Sequence, residues 1–200
     1  MAMTSKREIK KIEEQITGKV RGVTFITDFN YIKRKKGKKG VEKVQKQITD
    51  WGVDLDFTRV SNNNWYPAGW RIISLLAIKK VFNWGDKEIF EMGRAAPKNS
   101  FVVKTLLRYF VSMKKTFQET VKYWKKHWTV GELKAEKLDL KNKRIKIRVN
   151  DFQAHPVLCQ FLKGYFQAIL ELIVKDSEPV IEEKKCMSRG DKYHEFQITW

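Results

Sequence analysis

Cysteine is scarce in this chain: two in 200 residues. That excludes a disulfide-stapled secreted scaffold. No long hydrophobic run exists either. The longest clearly apolar stretch, Ile72 to Ile78 with Ser74 inside it, is far too short to span a bilayer. The opening residues Met1 to Arg7 are polar and carry no apolar signal segment, so a cytoplasmic location is expected. In a reducing compartment a cysteine is structural or a metal ligand more often than disulfide-bonded. Catalytic signatures are absent as well. There is no Gly-x-Ser-x-Gly elbow, no glycine-rich phosphate loop and no His-Glu-x-x-His, so no enzymatic activity is expected. Repeats and low-complexity segments are missing too.

Aromatic residues and cations are abundant. Twelve Phe, seven Trp and six Tyr can build a large core and suit an apolar pocket. The net charge is +18, from 41 basic and 23 acidic residues. A lysine-rich solvated surface explains it; a polyanionic partner is the alternative. The densest cluster, Lys33 to Lys39, lacks interleaved aromatics and any recognition-helix, zinc-finger or RNA-motif context. Nucleic acid is therefore not the expected partner, and a basic interaction module is the alternative function.

Hydrophobic periodicity gives a helical first half. Ser5-Lys-Arg-Glu8 is a capping box opening a charged helix to about Thr17. Helices follow from Val23 to about Lys36, broken at Gly37–Gly40, and from Val41 to Trp51. Asp54 and Asp56 read as the solvent face of a short strand whose other face is Val53, Leu55 and Phe57. Trp65-Tyr66-Pro67 opens another helix, and one from Gly85-Asp86 ends around Met92-Gly93-Arg94. Asn99 or Ser100 caps an apolar segment to Met113, and Thr116-x-x-Glu119 caps the next, bearing Trp124, His127 and Trp128.

After Gly131 the period changes from 3.6 to 2. Ile145, Ile147 and Val149 form a half-buried strand, and a bulge near Glu136-Lys137 reconciles the two phases of the preceding one. His155-Pro156 starts a helix to about Val174, with Leu158, Phe161, Leu162, Tyr165, Ile169 and Leu172 inward. Strands near 179–186 and 193–200 close the chain around Gly190-Asp191. Two hairpins separated by one helix predict an α+β domain, an α/β sandwich, with a four-stranded antiparallel sheet and helices on one face.

Cys186-x7-His194 places a thiol and an imidazole at the two ends of a hairpin, and Glu183 and Cys159 could complete a closed zinc site. Residues three apart on a regular strand face opposite sides, so Glu183 and Cys186 converge only if the strand ends or bulges between them. His155 and Cys159, four apart on one helical face, are a rival pair. A buried free cysteine and a strand histidine without metal are the alternative. Arg94 could anchor a ligand carboxylate or form a structural ion pair. His127 could ligate a haem, though a lone histidine on an aromatic helix is usually structural.

Trp65-Tyr66-Pro67, Met92-Gly93-Arg94, His155-Pro-Val-Leu-Cys159-x4-Gly164 and Cys186-x3-Gly190-Asp191-x2-His194-x-Phe196 together resemble the 4-vinyl-reductase-like domain family. These small-molecule-binding modules share a fold with the haem nitric-oxide-binding associated and TRAPP transport-particle proteins. The resemblance covers about 22–200, leaving 1–21 as an N-terminal helical arm. Phenol-sensing members carry Cys…Glu-x2-Cys-x7-Cys, and His194 stands here in place of the last cysteine. The resemblance implies an apolar ligand channel for an aromatic, lipid or tetrapyrrole-like molecule, in a stand-alone sensor with a signalling partner or as a homodimer. Pocket residues on this reading are Trp70, Trp84, Met92, Arg94, Phe101, Phe110, Trp124, Trp128, Phe161 and Tyr165.

Overall fold

The computed structural model describes residues 5–99, 113–174 and 177–200. The helix expected from Phe101 to Met113 lies outside them. Helix α1 (Lys6–Gln15) starts at the capping box: the Ser5 hydroxyl accepts the Glu8 N–H at 3.2 Å. Its Ile9 and Ile12 are buried against α3 (Ala68–Phe82), and Trp70 Nε1 donates to Glu13 at 2.9 Å. Strand β1 (Lys19–Arg21) pairs with β2 (Trp65–Pro67), and the Lys19 N–H reaches Thr129 Oγ1 at 2.7 Å. Residues 6–21 thus pack on the rest of the chain through Ile9, Ile12 and β1.

Trp65-Tyr66-Pro67 opens no helix. A residue preceding proline disfavours α geometry, so Trp65 and Tyr66 extend into β2 and α3 begins only at Ala68. Helix α2 (Val23–Asp50) is broken where expected: Gly37 has non-helical backbone, φ 68° and ψ −175°, and two helical segments meet there at a kink. In α3, Ile72, Ile73, Leu75, Leu76, Ala77 and Ile78 are all buried. Helices α1, α2 and α6 (Pro156–Glu171) surround α3, so it shows no apolar stripe. The Val53–Phe57 alternation buries the expected side chains but makes no strand. Its backbone bonds go to a side chain instead: Gln45 donates to the Leu55 carbonyl at 2.8 Å and accepts the Phe57 N–H at 3.0 Å.

Helix α4 (Asp86–Asn99) runs straight through Met92-Gly93-Arg94, where an end was expected. Gly93 serves packing, not termination. A Cβ there would lie 2.0 Å from the Phe161 carbonyl oxygen on α6 (Pro156–Glu171). Gly164 returns the contact, with its would-be Cβ 1.9 Å from the Phe90 oxygen. Helix α5 (Met113–His127) begins before the Thr116 box and stacks Trp124 on Trp128, with centroids 5.3 Å apart. Leu172 lies past the end of α6 and is 38% exposed, so it is not inward.

Strands β3 (Glu132–Asp139), β4 (Arg144–Asn150), β5 (Val180–Lys185) and β6 (His194–Thr199) form one antiparallel sheet in the order β3-β4-β6-β5. The fold is α+β, as expected. One sheet face buries Ile145, Ile147, Ile181, Phe196 and Ile198, and Phe166 of α6 meets Phe196 at 5.4 Å. The other face carries charges such as Lys146, Arg148 and Glu195. The register shifts between Ala135 and Lys137, where a bulge was expected, and again between Glu183 and Lys185.

Candidate metal centre and buried cavity

The second bulge resolves the parity problem of the closing strand. Glu183 lies opposite Phe196 and Lys185 opposite Glu195, leaving Lys184 as the extra residue. Glu183 and Cys186 therefore share the inner side. Cys159 enters from the first turn of α6, and His194 opens β6. The four ligand atoms of Cys159, Glu183, Cys186 and His194 lie within 4.8 Å of one another. His194 Nε2 faces the Phe152 carbonyl at 3.0 Å and so carries the hydrogen. Its Nδ1 lone pair is then aimed at Cys159 Sγ, 3.5 Å away, and at Glu183 Oε1, 3.6 Å away. A backbone carbonyl that fixes the far nitrogen is the usual support of a metal-bound imidazole.

Glu183 Oε1 is buried and has no hydrogen-bond partner, while Oε2 accepts from Arg189 at 3.3 Å. Burial pushes the Glu183 carboxyl up, but the closeness of His194, Cys159 and Cys186 and the Arg189 charge outweigh it and hold the group low. Burial drives the Cys159 thiol well above its ordinary range, helped by the charge of Glu183. A thiol this reluctant to ionise beside an orphaned carboxylate oxygen is what a divalent cation would reverse. Soft thiolates, an imidazole and a carboxylate suit zinc, and four donors with none open suit a structural site. Ser188 Oγ lies 2.9 Å from Cys186 Sγ, and the Cys186 N–H donates to Asp191 Oδ2 at 2.8 Å, so the turn is fastened around the thiol.

The rival ligand His155 is elsewhere. It caps α6, its Nδ1 accepting the Val157 N–H at 3.1 Å. Burial depresses the imidazoles of His155 and His127 below the ordinary 6.5. For a depressed group the stability is fully present above the unfolded value and is lost as pH falls through the folded one. The thermal midpoint should therefore fall between about pH 7.5 and about pH 5. His155→Asn, which keeps a cap acceptor, should remove part of that fall. An identical pH profile in the variant would contradict this assignment.

Also against α6 lies a cavity of about 100 Å³. Trp124, His127 and Trp128 of α5, Leu158, Phe161, Leu162 and Tyr165 of α6, and Thr24 and Thr27 of α2 line it. Of the expected pocket residues, Trp124, Trp128, Phe161 and Tyr165 are in its wall. Trp70 bonds Glu13 instead, and Trp84 joins Tyr31 and Phe82 nearer the surface. Met92 is buried among the core side chains, outside the cavity wall. Arg94 Nε donates to Glu171 at 2.7 Å, bracing the α4–α6 crossing. Phe101 and Phe110 lie outside the described residues. His127 Nδ1 meets the Tyr123 carbonyl at 2.9 Å.

Two charged wall residues escaped the sequence reading: Asp28 and Arg71, each 1% exposed, joined by a bidentate ion pair with one arm at 3.2 Å. Arg71 also stacks on Phe161 at 4.4 Å. Burial pulls its pKa down to about 9, still charged at neutral pH. The signal was present: one charge sits inside each of two apolar stretches, Phe25–Ile32 and Trp70–Ile78, and buried charges must pair. The Lys33–Lys39 cations are exposed along the kinked stretch of α2. Lys36 Nζ lies 5.5 Å from the Phe82 ring. Among the described residues no helix is long and apolar enough to cross a membrane.

No family model and no curated protein matches the sequence. Solved structures do share its fold. An H-NOX protein from S. oneidensis in the Fe(II)NO state superposes with a TM-score of 0.65 at 12% identity, over 89% of this chain and 97% of that one. The Fe(II) unliganded H-NOX protein from K. algicida gives 0.59 at 15% identity, over 90% and 95%. The Fe(II)CO H-NOX from Shewanella woodyi gives 0.64 at 10% identity, over 89% and 93%.

Proposed function

We propose that this chain is a small-molecule sensor domain that takes a neutral, single-ring hydrophobic ligand into the α5–α6 cavity. A zinc ion held by Cys159, Glu183, Cys186 and His194 braces the same helix. The observation that carries this reading is that α6 serves both sites. Leu158, Phe161, Leu162 and Tyr165 line the cavity, while Cys159, one residue on from Leu158, joins the metal cluster. Zinc would supply no chemistry beyond a cross-link between α6 and the β5–β6 hairpin. An effector-bearing partner or a second copy of the chain would read the change.

The H-NOX neighbours are described in iron states, and the family resemblance extends to tetrapyrroles. The cavity does not fit such a ring. Its volume of about 100 Å³ is below the ≈ 300–1,000 Å³ of drug-sized pockets and near the ~150 Å³ apolar cavity that takes benzene. Arg71 is already paired with Asp28 in the wall, so a ligand carboxylate would have to displace Asp28. A neutral ring needs no such exchange.

Two measurements test the reading. At about 100 Kd a cavity ligand adds ~2.7 kcal/mol, or roughly 5–11 °C in a chain of this size. Benzene, toluene and phenol should be screened by thermal shift against wild type and Leu162→Trp, which fills the cavity. A shift in wild type that vanishes in the variant supports the pocket; no shift from any ring, or haem bound at one per chain, would sink it. Metal analysis should find one zinc per chain, absent in Cys186→Ser and His194→Ala.

A further inference from the structure

The described cysteines, the only two in the sequence, are free and face each other in the cluster with Sγ atoms 3.8 Å apart. We propose that Cys159 and Cys186 form an oxidation site, closing to an intramolecular disulfide under a peroxide and, in doing so, dismantling the metal centre. A disulfide needs its sulfurs ~2.0 Å apart, so they must approach by a bond length. Cys186 lies at a turn, and a rotation of its side chain that gives up the Ser188 contact can supply that movement. It is the residue before the short 3-10 turn Met187–Arg189, and Ser188, Arg189 and Gly190 are exposed at the tip. Cys159 is held in the first turn of α6 and stays put.

The chemistry balances with hydrogen peroxide as the oxidant. One thiol sulfur attacks a peroxide oxygen, the O–O bond breaks, and a sulfenic acid and one water form. The second sulfur then attacks the sulfenic sulfur, the S–O bond breaks, and a second water leaves with the remaining thiol hydrogen. Two thiols are oxidised and one peroxide is reduced. No other cysteine exists to compete for the sulfenic acid, so within one chain a single pairing is available.

The donor set makes the outcome all or none. The cluster contains only two sulfurs, and a disulfide removes both. Glu183 and His194 alone cannot hold a structural zinc that calls for four donors. Metal and disulfide are therefore mutually exclusive states of one site. This second half rests on the zinc reading; disulfide formation in metal-free protein does not.

The full chain is first stripped of metal with a chelator and treated with hydrogen peroxide, and its intact mass is taken without reductant. The expected product is lighter by two hydrogen atoms. Its thiols resist alkylation in denaturant until dithiothreitol is added, and peptide mapping joins Cys159 to Cys186. Cys159→Ser should instead yield a sulfenic acid at Cys186 that a dimedone probe traps. Thiols that stay alkylatable, or oxygen added to either wild-type cysteine without a cross-link, overturn the proposal. A zinc-loaded sample under the same peroxide should release its zinc in step with the disulfide. A disulfide from a protein that never bound zinc would refute the metal reading and leave this site standing. Tightly bound zinc with thiols untouched in both samples would do the reverse.

Discussion

Asp28→Ala lowers stability by about 3–5 kcal/mol, the cost of leaving one member of a buried ion pair without its partner. Arg71 is 1% exposed, and two of its guanidinium nitrogens donate to Asp28. With the carboxylate gone, the guanidinium is buried with no counter-charge from Asp28. The Phe161 ring, 4.4 Å away, remains beside it. At about 2–4 °C per kcal/mol, the thermal midpoint should drop by roughly 6–20 °C. The double variant Asp28→Leu, Arg71→Met removes the charge problem altogether and should recover most of the loss. Differential scanning calorimetry of the two variants checks both statements. A single variant within a degree of wild type would show that the pair is not desolvated as described.

Gly164→Ala is expected to cost as much as the crossing between α4 and α6 will tolerate. Adding a methyl group to a packed interior costs about 1–3 kcal/mol where side chains can yield. Here the obstacles are backbone: the Phe90 oxygen at 1.9 Å and the Arg94 nitrogen at 2.7 Å from the new Cβ. The helices must part, and α6 carries the cavity wall and Cys159. The loss should sit at or above the top of that range and take ligand and metal binding with it. Gly37→Ala is the control. Nothing lies within 4 Å of its would-be Cβ, so it should cost only the backbone strain of a glycine-only conformation, φ 68° and ψ −175°, about 1–3 kcal/mol. Equal denaturation curves for wild type and Gly164→Ala would refute the close approach.

These two predictions mark where the sequence was and was not legible. The closing β-hairpins, their bulges and the convergence of Cys159, Glu183, Cys186 and His194 could be read, because period-2 alternation and the spacing around Gly190-Asp191 are local signals. The α4–α6 crossing could not. Gly93 in Met92-Gly93-Arg94 looks like a helix stop, since a missing side chain is as good for ending a helix as for admitting another one. Trp65-Tyr66-Pro67 misled for a related reason: proline is favourable in a first helical turn and equally fit to end a strand. Val53, Leu55 and Phe57 alternate as a strand would, yet their backbone is held by Gln45, a partner the periodicity of the segment does not show. The cavity wall was half legible. Aromatics at helical spacing on α5 and α6 found it, whereas Trp70 and Trp84 carry the same chemistry on faces turned elsewhere.

The bulge in β5 lets a step that is odd in sequence count as even in the ladder. Lys184 is exposed and its ammonium pairs with the neighbouring Glu182. Any side chain that tolerates extended backbone would serve there. Deleting it would leave Glu183 and Cys186 two apart, with Lys185 between them opposite Glu195, and strict alternation would still turn both inward. A regular ladder drawn through Lys184 would instead send Cys186 to the charged side of the sheet while Glu183 stayed inside. What keeps the two side chains together is the parity of the pairing, not the length of the segment.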